Sequence, residues 1–370
     1  MTRGVDAPPV KIVVTAPNWL GDAVMCLPAL ALLATGGRAV VAVASRPYTA
    51  RVFLGLDGVD ELWIGDTGGR LAHLRARTRA LDAYGADAVV LLPTSFSSAL
   101  PAWLAGVKHR IGFRGDARAW LLSDAAPAPE RRTHLTESCL ALARRARERL
   151  GLAEAREPVP FPRLSASARE REHLRARLSG SAAAGGYAVL VPGAAFGPAK
   201  SWPWERYRVL CARLARDLPV VVAGSAGDRA VCERVADGID NVANLAGHTD
   251  LGGMFALIEG ARVLVANDSG SAHVAAAMGT PVVVLFGSTS PEWTAPLGPR
   301  VEVLRHPVHC SPCFRRTCPT QLECFHGIEV DAVLAAVGRV VGAVEKAFVA
   351  APGGRIESRG PNSSNAGVPA

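Results

Sequence analysis

The chain has 370 residues, of which 49% are hydrophobic and 20% charged, and a formal net charge of +8. That length exceeds the roughly 250 to 300 residues over which a single core keeps growing, so two domains are expected, and the composition excludes a disordered chain. No apolar run reaches the roughly 18 residues of a membrane span, and the first nine residues lack the build of a secretory signal, so a cytoplasmic protein with an anionic partner is expected.

Apolar runs at 10–15, 39–44, 61–64, 88–92 and 108–113 read as short strands, with helical periodicity between them at 23–33 and 71–84. This alternation predicts one doubly wound parallel half. An arginine-rich helix is expected over 136–150, followed by a proline-bearing stretch at 157–162, a charged helix over 166–178 and Gly- and Ala-rich residues to Gly186. We therefore expect a first domain over 1–165, a linker region over 166–186 and a second domain over 187–350. Its strands are expected at 187–191, 220–223, 262–266, 282–286 and 301–304, with a last helix over about 330–349. The Pro-, Gly-, Ser- and Asn-rich tail over 351–370 is expected to be disordered. Two like halves imply a cleft between them.

Three strand ends carry the chemistry. A buried strand runs into Asn267-Asp268-Ser269-Gly270 and then into an alanine-rich helix bearing His273. Such a junction aims unpaired amides and the positive end of a helix dipole at an anion; the competing reading is a well-capped helix with a solvated histidine. In the first half, Asn18-Trp19-Leu20-Gly21-Asp22 opens a helix, so Asp22 is either a cap or a catalytic carboxylate held ionised by the dipole. In the second half, Lys200 stands between a Gly/Pro-shaped loop and a helix expected to begin near Pro203, suited to a phosphate. No glycine directly precedes that lysine as a P-loop requires, and no GxGxxG follows a strand, which argues against a kinase, an ATPase and a nicotinamide-linked dehydrogenase.

PNWLGDAVMCLPAL at 17–30, PGAAFGPAKSWPWERY at 192–207, NLAGHTDLGGMFALI at 244–258 and the run from Asn267 to Pro299 together resemble the ADP-heptose:lipopolysaccharide heptosyltransferases, specifically the heptosyltransferase II branch of glycosyltransferase family nine. The resemblance implies a GT-B fold, with two Rossmann-like domains facing across a cleft. It implies that Asp22 deprotonates the acceptor hydroxyl, that Lys200 neutralises the donor diphosphate, and that Asp268, Ser269, Gly270 and His273 hold the pyrophosphate and its sugar. Asp228 falls in the region that meets the ribose, while Asn18, Trp19 and Gly21 form the acceptor side of the cleft. Leu251 and Met254 flank the adenine or belong to the core, and the core reading is favoured.

The implied reaction moves heptose from ADP-heptose to a heptose-bearing Kdo-lipid A core at the inner face of the inner membrane. No DxD motif stands at a suitable strand end, so metal-independent transfer is expected. Relatives often carry glutamate where this chain has Ala195, which leaves donor-sugar identity open. The alternative is a GT-B transferase or epimerase using another nucleotide sugar.

Cys310, Cys313, Cys318 and Cys324 open with a CxxC, and His306, His309 and His326 stand nearby. Four thiolates suit a structural zinc, but the later spacings fit no standard zinc pattern, and reduced thiols in a folded loop are the other reading. Cys26, Cys139, Cys211 and Cys232 read as buried small hydrophobes. The arginine groups Arg70, Arg75, Arg77, Arg79 and Arg144, Arg145, Arg147, Arg149 read as solvated helix faces, with contact to an anionic bilayer as the alternative. A nucleic-acid-binding module would leave the Asp22 and Lys200 loops without purpose and lacks interleaved aromatic residues, so no nucleic-acid partner is expected.

Overall fold

The computed structural model describes residues 8–65, 68–155, 158–178, 182 and 186–350, so the tail expected from 351 and part of the expected linker lie outside it. The strands of the first half are β1 (Val10–Thr15), β2 (Ala39–Ser45), β3 (Glu61–Ile64), β4 (Ala88–Leu91), β5 (His109–Phe113) and β6 (Asp124–Ala126). Its helices are α1 (Leu20–Met25), α2 (Leu27–Ala34), α3 (Arg70–Tyr84), α4 (Phe96–Leu104) and α5 (Leu135–Arg149). Helix α6 (Ala168–Arg175) connects the halves. The second half contains β7 (Ala188–Val191), α7 (Trp204–Leu214), β8 (Val220–Val222), α8 (Arg229–Ala236), β9 (Val242–Asn244) and α9 (Leu251–Glu259). It continues through β10 (Val263–Asn267), α10 (Gly270–Met278), β11 (Val282–Phe286), α11 (Pro291–Thr294), β12 (Val301–Arg305), α12 (Glu323–His326) and α13 (Val330–Ala350).

The first sheet has the order β3-β2-β1-β4-β5-β6 and the second β12-β11-β10-β7-β8-β9. Every recorded pairing is parallel. Read from its own first strand, the second sheet repeats the first. Parallel strands covered by helices on both faces need apolar side chains on both, which is why runs such as Val282–Phe286 are buried at every position.

The departures from expectation have local causes. The single helix expected over 23–33 is split at Cys26, because Pro28 has no amide to donate back to the preceding turn. Strands β6 and β9 went unread because each has three residues and lies at a sheet edge, too short to show a period. Within the expected linker, Ser167 and Glu170 form a reciprocal cap that starts α6, and that helix packs on α9.

The halves are joined by polar and apolar contacts. Arg51 pairs with Glu170 at 2.5 Å, donates to the Ser165 carbonyl at 2.7 Å and stacks over Phe255 at 4.5 Å. His134 Nε2 meets the Ala295 carbonyl at 2.8 Å, and one continuous apolar core includes residues of both sheets. The result is the expected α/β architecture, two doubly wound domains facing each other in the GT-B arrangement.

The arginines of α5 are not all solvated. Arg147 is buried and donates to the carbonyls of Leu32 and Thr35, both at 2.9 Å, satisfying groups that the end of α2 leaves open. Arg145 and Arg149 converge on the two oxygens of Asp124, at 2.6 and 2.7 Å, and hold its carboxyl below its usual pKa despite burial. For Arg147, solvation gives way to intramolecular bonding.

Candidate active site

In a 3-2-1-4-5-6 sheet the chain leaves strands 1 and 4 toward opposite faces, opening a crevice at their C-terminal ends. Here that switch point occurs twice. In the first sheet it lies between β1 and β4, and the segment after β1 leads into α1 and Asp22. In the second it lies between β7 and β10, whose following loops carry Lys200 and Asp268.

Asp22 does not cap its helix. Trp19 is the N-cap residue and makes no side-chain cap bond, while Asp22 lies within the first turn. Burial pushes its pKa up to about 6; Lys200 opposes that rise and Asp268 adds to it, so charge from the second domain reaches this carboxyl. Burial therefore outweighs the dipole effect expected from sequence, and the group becomes a stronger base that is still mainly ionised at neutral pH.

Lys200 ends a tight 3-10 turn at Pro198–Lys200, and its ammonium lies 2.6 Å from Asp268 Oδ2. Thr289 Oγ1 donates to the same oxygen at 2.7 Å. Asp268 thus anchors the lysine, since a carboxylate beside an anionic ligand would repel it. The loop is held by Asn267, a residue whose bracing role sequence reasoning missed. Fully buried, it accepts from the Trp202 amide at 3.0 Å and the Tyr207 hydroxyl at 3.2 Å, and donates to the Pro192 carbonyl at 2.9 Å. An asparagine at the last position of an otherwise apolar buried strand was the available signal, because a buried amide must find partners.

Ser269 is the N-cap residue of α10, but its hydroxyl makes no cap bond and is buried without a partner. The first amides of that helix have no carbonyl one turn back, so with Ser269 Oγ they form a set of donors suited to an anion. His273 is buried rather than solvated. That burial lowers its pKa to about 4, although Asp268 pulls the other way, so the imidazole is neutral at physiological pH.

Two glycines that the resemblance places at the cleft admit the opposite domain. A Cβ on Gly21 would lie 2.9 Å from His273 Cδ2, and one on Gly270 would lie 2.6 Å from Leu20 Cβ. Helices α1 and α10 therefore meet through one glycine each, which brings Asp22 within electrostatic reach of Lys200 and Asp268. Beside this contact the first domain has a cavity of about 760 Å³, lined by Asn18, Arg46, Arg70, His73, Arg77 and Phe96 among others. Burial and the neighbouring Arg46 lower the pKa of Arg77 to about 10. Trp19 is half exposed.

Asp228 is already engaged: Oδ2 accepts from the Ser225 amide at 2.9 Å and its hydroxyl at 2.6 Å, with the carboxylate against Gly193 at the end of β7. Leu251 and Met254 pack on the core. Cys310, Cys313, Cys318 and Cys324 line a separate cavity of about 300 Å³ with His309, all as free thiols. Among the described residues, no three His, Cys, Asp or Glu side chains are grouped to hold a metal ion. The other four cysteines are buried, as expected. The cysteine-bearing segment buttresses the lysine loop through the Arg316 carbonyl, which accepts from the Ala199 amide at 3.0 Å.

Residues 74–323 match Glycosyltransferase family 9 (heptosyltransferase). Lipopolysaccharide heptosyltransferase 2 of Escherichia coli (strain K12) is 31% identical over 309 residues, covering 80% of this chain and 88% of that protein. Lipooligosaccharide heptosyltransferase 2 of Haemophilus ducreyi (strain 35000HP) is 34% identical over 230 residues, or 59% of this chain and 66% of that protein. The solved structure of E. coli ADP-heptose lps heptosyltransferase II superimposes with a TM-score of 0.76 at 29% identity, covering 91% of this chain and all of that one. A carboxylate and a lysine set at facing switch points, on a chain similar along most of its length to these proteins, identify a glycosyltransferase: the chain belongs to glycosyltransferase family 9, the heptosyltransferases.

Proposed function

We propose that this enzyme transfers L-glycero-D-manno-heptose from ADP-heptose to an inner-core heptose of a Kdo-lipid A acceptor, with inversion at the anomeric carbon. The observation that carries the reading is the reach of the Lys200–Asp268 pair to Asp22 across the domain contact. The acceptor sugar occupies the cavity at the end of β1. Its hydroxyl gives a proton to the Asp22 carboxylate as its oxygen attacks the anomeric carbon, and the bond from that carbon to the diphosphate oxygen breaks with its electron pair leaving on ADP.

The leaving diphosphate gains charge in the transition state. Lys200, Ser269 Oγ and the first amides of α10 stand where that charge develops, and donors of this kind are commonly worth about 3 to 4 kcal/mol each. Neutral His273, beneath Gly21, adds no positive charge next to the base. Asp228 orders the turn after β8 for the nucleoside, and the alanine at position 195 leaves one sugar hydroxyl without an acidic partner. No helix among the described residues is long and apolar enough to cross a membrane. The enzyme works at the inner face of the inner membrane as a peripheral protein.

The test is ADP release with ADP-heptose and a heptose-bearing, Kdo-containing acceptor, set against a panel of other nucleotide sugars. Selective turnover of ADP-heptose is expected. Faster turnover of another donor would replace the sugar assignment.

A further inference from the structure

The first domain carries two tryptophans that its own core does not use. Trp103, near the end of α4, is 43% exposed, Trp120 is 62% exposed and neighbouring Leu104 is 49% exposed. The two indoles meet edge to face at 5.7 Å, and Trp120 contacts the Phe96 ring at 6.0 Å. Elsewhere a tryptophan such as Trp202 is 1% exposed, so this protein buries the residue where it serves the fold. Clustered aromatic surface left in water marks a surface that meets something else.

Position and charge say what that is. Phe96 belongs at once to this cluster and to the wall of the first-domain cavity, so the tryptophans stand at the cavity's rim. Helix α3 packs beside α4. Arg75 and Arg79 stand exposed on α3, with exposed Arg70 and Leu71 at the cavity mouth. The acid at this rim, Asp116, is held by the Phe96 amide at 2.7 Å. Exposed indoles beside a helix with exposed arginines match the interface of an anionic bilayer, where rings seat at head-group level and guanidinium groups meet phosphates.

We propose that this rim is the membrane-docking face: Trp103 and Trp120 seat in an anionic bilayer and turn the cavity mouth toward it. A lipid-anchored acceptor then presents its sugar to Asp22 without leaving the membrane. The purpose of the face rests on the lipid-linked acceptor proposed above; the binding does not.

The experiment is flotation of the full chain with phosphatidylethanolamine/phosphatidylglycerol vesicles and with phosphatidylcholine vesicles. Trp103→Ser, Trp120→Ser and the pair Arg75→Glu with Arg79→Glu are compared with the parent, each checked for an unchanged melting temperature. The parent is expected to float with the anionic vesicles. Each tryptophan substitution should weaken partition about tenfold, the order expected when one large apolar side chain is withdrawn from burial. Charge reversal should remove the preference for phosphatidylglycerol. Turnover of a deacylated, soluble acceptor should stay at the parental rate in all variants, while turnover of vesicle-embedded acceptor falls with partition.

Trp120, the more exposed indole, keeps the test alive if Trp103→Ser unfolds. Parental flotation by Trp120→Ser, or no flotation of the parent, would overturn the proposal. So would a parental dimer that becomes a monomer in Trp120→Ser with vesicle partition unchanged, which would make the cluster a contact between two copies. If the heptosyl reading fails instead, neither acceptor releases ADP while partition and its loss in the variants persist.

Discussion

The two halves share one strand order yet place opposite chemistry at the same point of it. After the first strand of the first sheet, a short segment delivers a carboxylate beside a roomy cavity with Arg46 and Arg77 in its wall. After the first strand of the second sheet, a longer loop delivers a lysine fastened by Asp268 and braced through Asn267. The scaffold supplies two crevices and the loops decide what each does. The open crevice suits an acceptor of variable shape, and the braced one suits a diphosphate that must be met by fixed donors.

Removing the proposed base is the most severe way to break this division. Asp22→Asn should lower kcat by about a hundredfold to ten-thousandfold, the range for a lost general base, while donor affinity measured by calorimetry stays near the parental value. Its effect on stability has the opposite sign. The pKa of the folded carboxyl is raised to about 6 from the 3.8 of an unperturbed aspartate, so the folded state binds the extra proton between those pH values. The contribution of this group to stability is full below about pH 4 and is lost as pH rises to about 6, by about 2 to 3 kcal/mol. The amide variant should therefore melt at a higher temperature than the parent at pH 7.5. A variant that is both inactive and less stable would point to a structural role.

Next in size is the lysine. Lys200→Met should lower kcat by about a hundredfold to a thousandfold through loss of leaving-group stabilisation, and weaken ADP binding. It also leaves Asp268 buried without its cation, at a cost of about 3 to 5 kcal/mol. Adding Asp268→Asn should restore much of the melting temperature and none of the rate. Recovery of both would mean that the lysine serves the fold alone.

A smaller effect joins the two crevices directly. With Asp22 as base, kcat/KM should rise about tenfold per pH unit below pH 6 and level off above it. Because Lys200 pulls the pKa of Asp22 down, the residual activity of Lys200→Met should show that inflection at higher pH. An unchanged inflection would mean that the two groups do not sense each other, and the facing arrangement would fail.

Much of this was legible in the chain because buried parallel strands announce themselves as apolar runs, and ten of the twelve described strands were read close to their observed bounds. The site motifs were legible because Asp22, Lys200 and Asp268 all stand just beyond such runs. What the sequence did not show was who meets whom. The resemblance puts Gly21 and Gly270 beside the ligands, but a missing side chain says that something comes close and not what. Arg147 read as a surface charge because nothing local tells an arginine that its partners are carbonyls more than a hundred residues away. Asn267 was seen as part of a motif, but its bracing role depends on the loop after β7 lying alongside β10.

The mildest test concerns the glycine pair on which the facing of the crevices depends. Gly270→Ala puts a methyl 2.6 Å from Leu20 Cβ, nearer than packed carbons tolerate, so α1 and α10 must separate or shift. Overpacking of this size costs about 1 to 3 kcal/mol, to be read as a lower melting temperature. If the helices separate, Asp22 moves away from the diphosphate donors, and kcat should fall while donor affinity, which depends on the second domain, holds. Leu20→Ala removes the atoms in the way beyond Cβ and should recover part of the lost rate in the double variant, although Cβ itself remains. A Gly270→Ala enzyme with normal kcat but weakened donor binding would instead mean that the glycine makes room for the diphosphate, in line with the role the resemblance implies, and that the helix contact is incidental to catalysis.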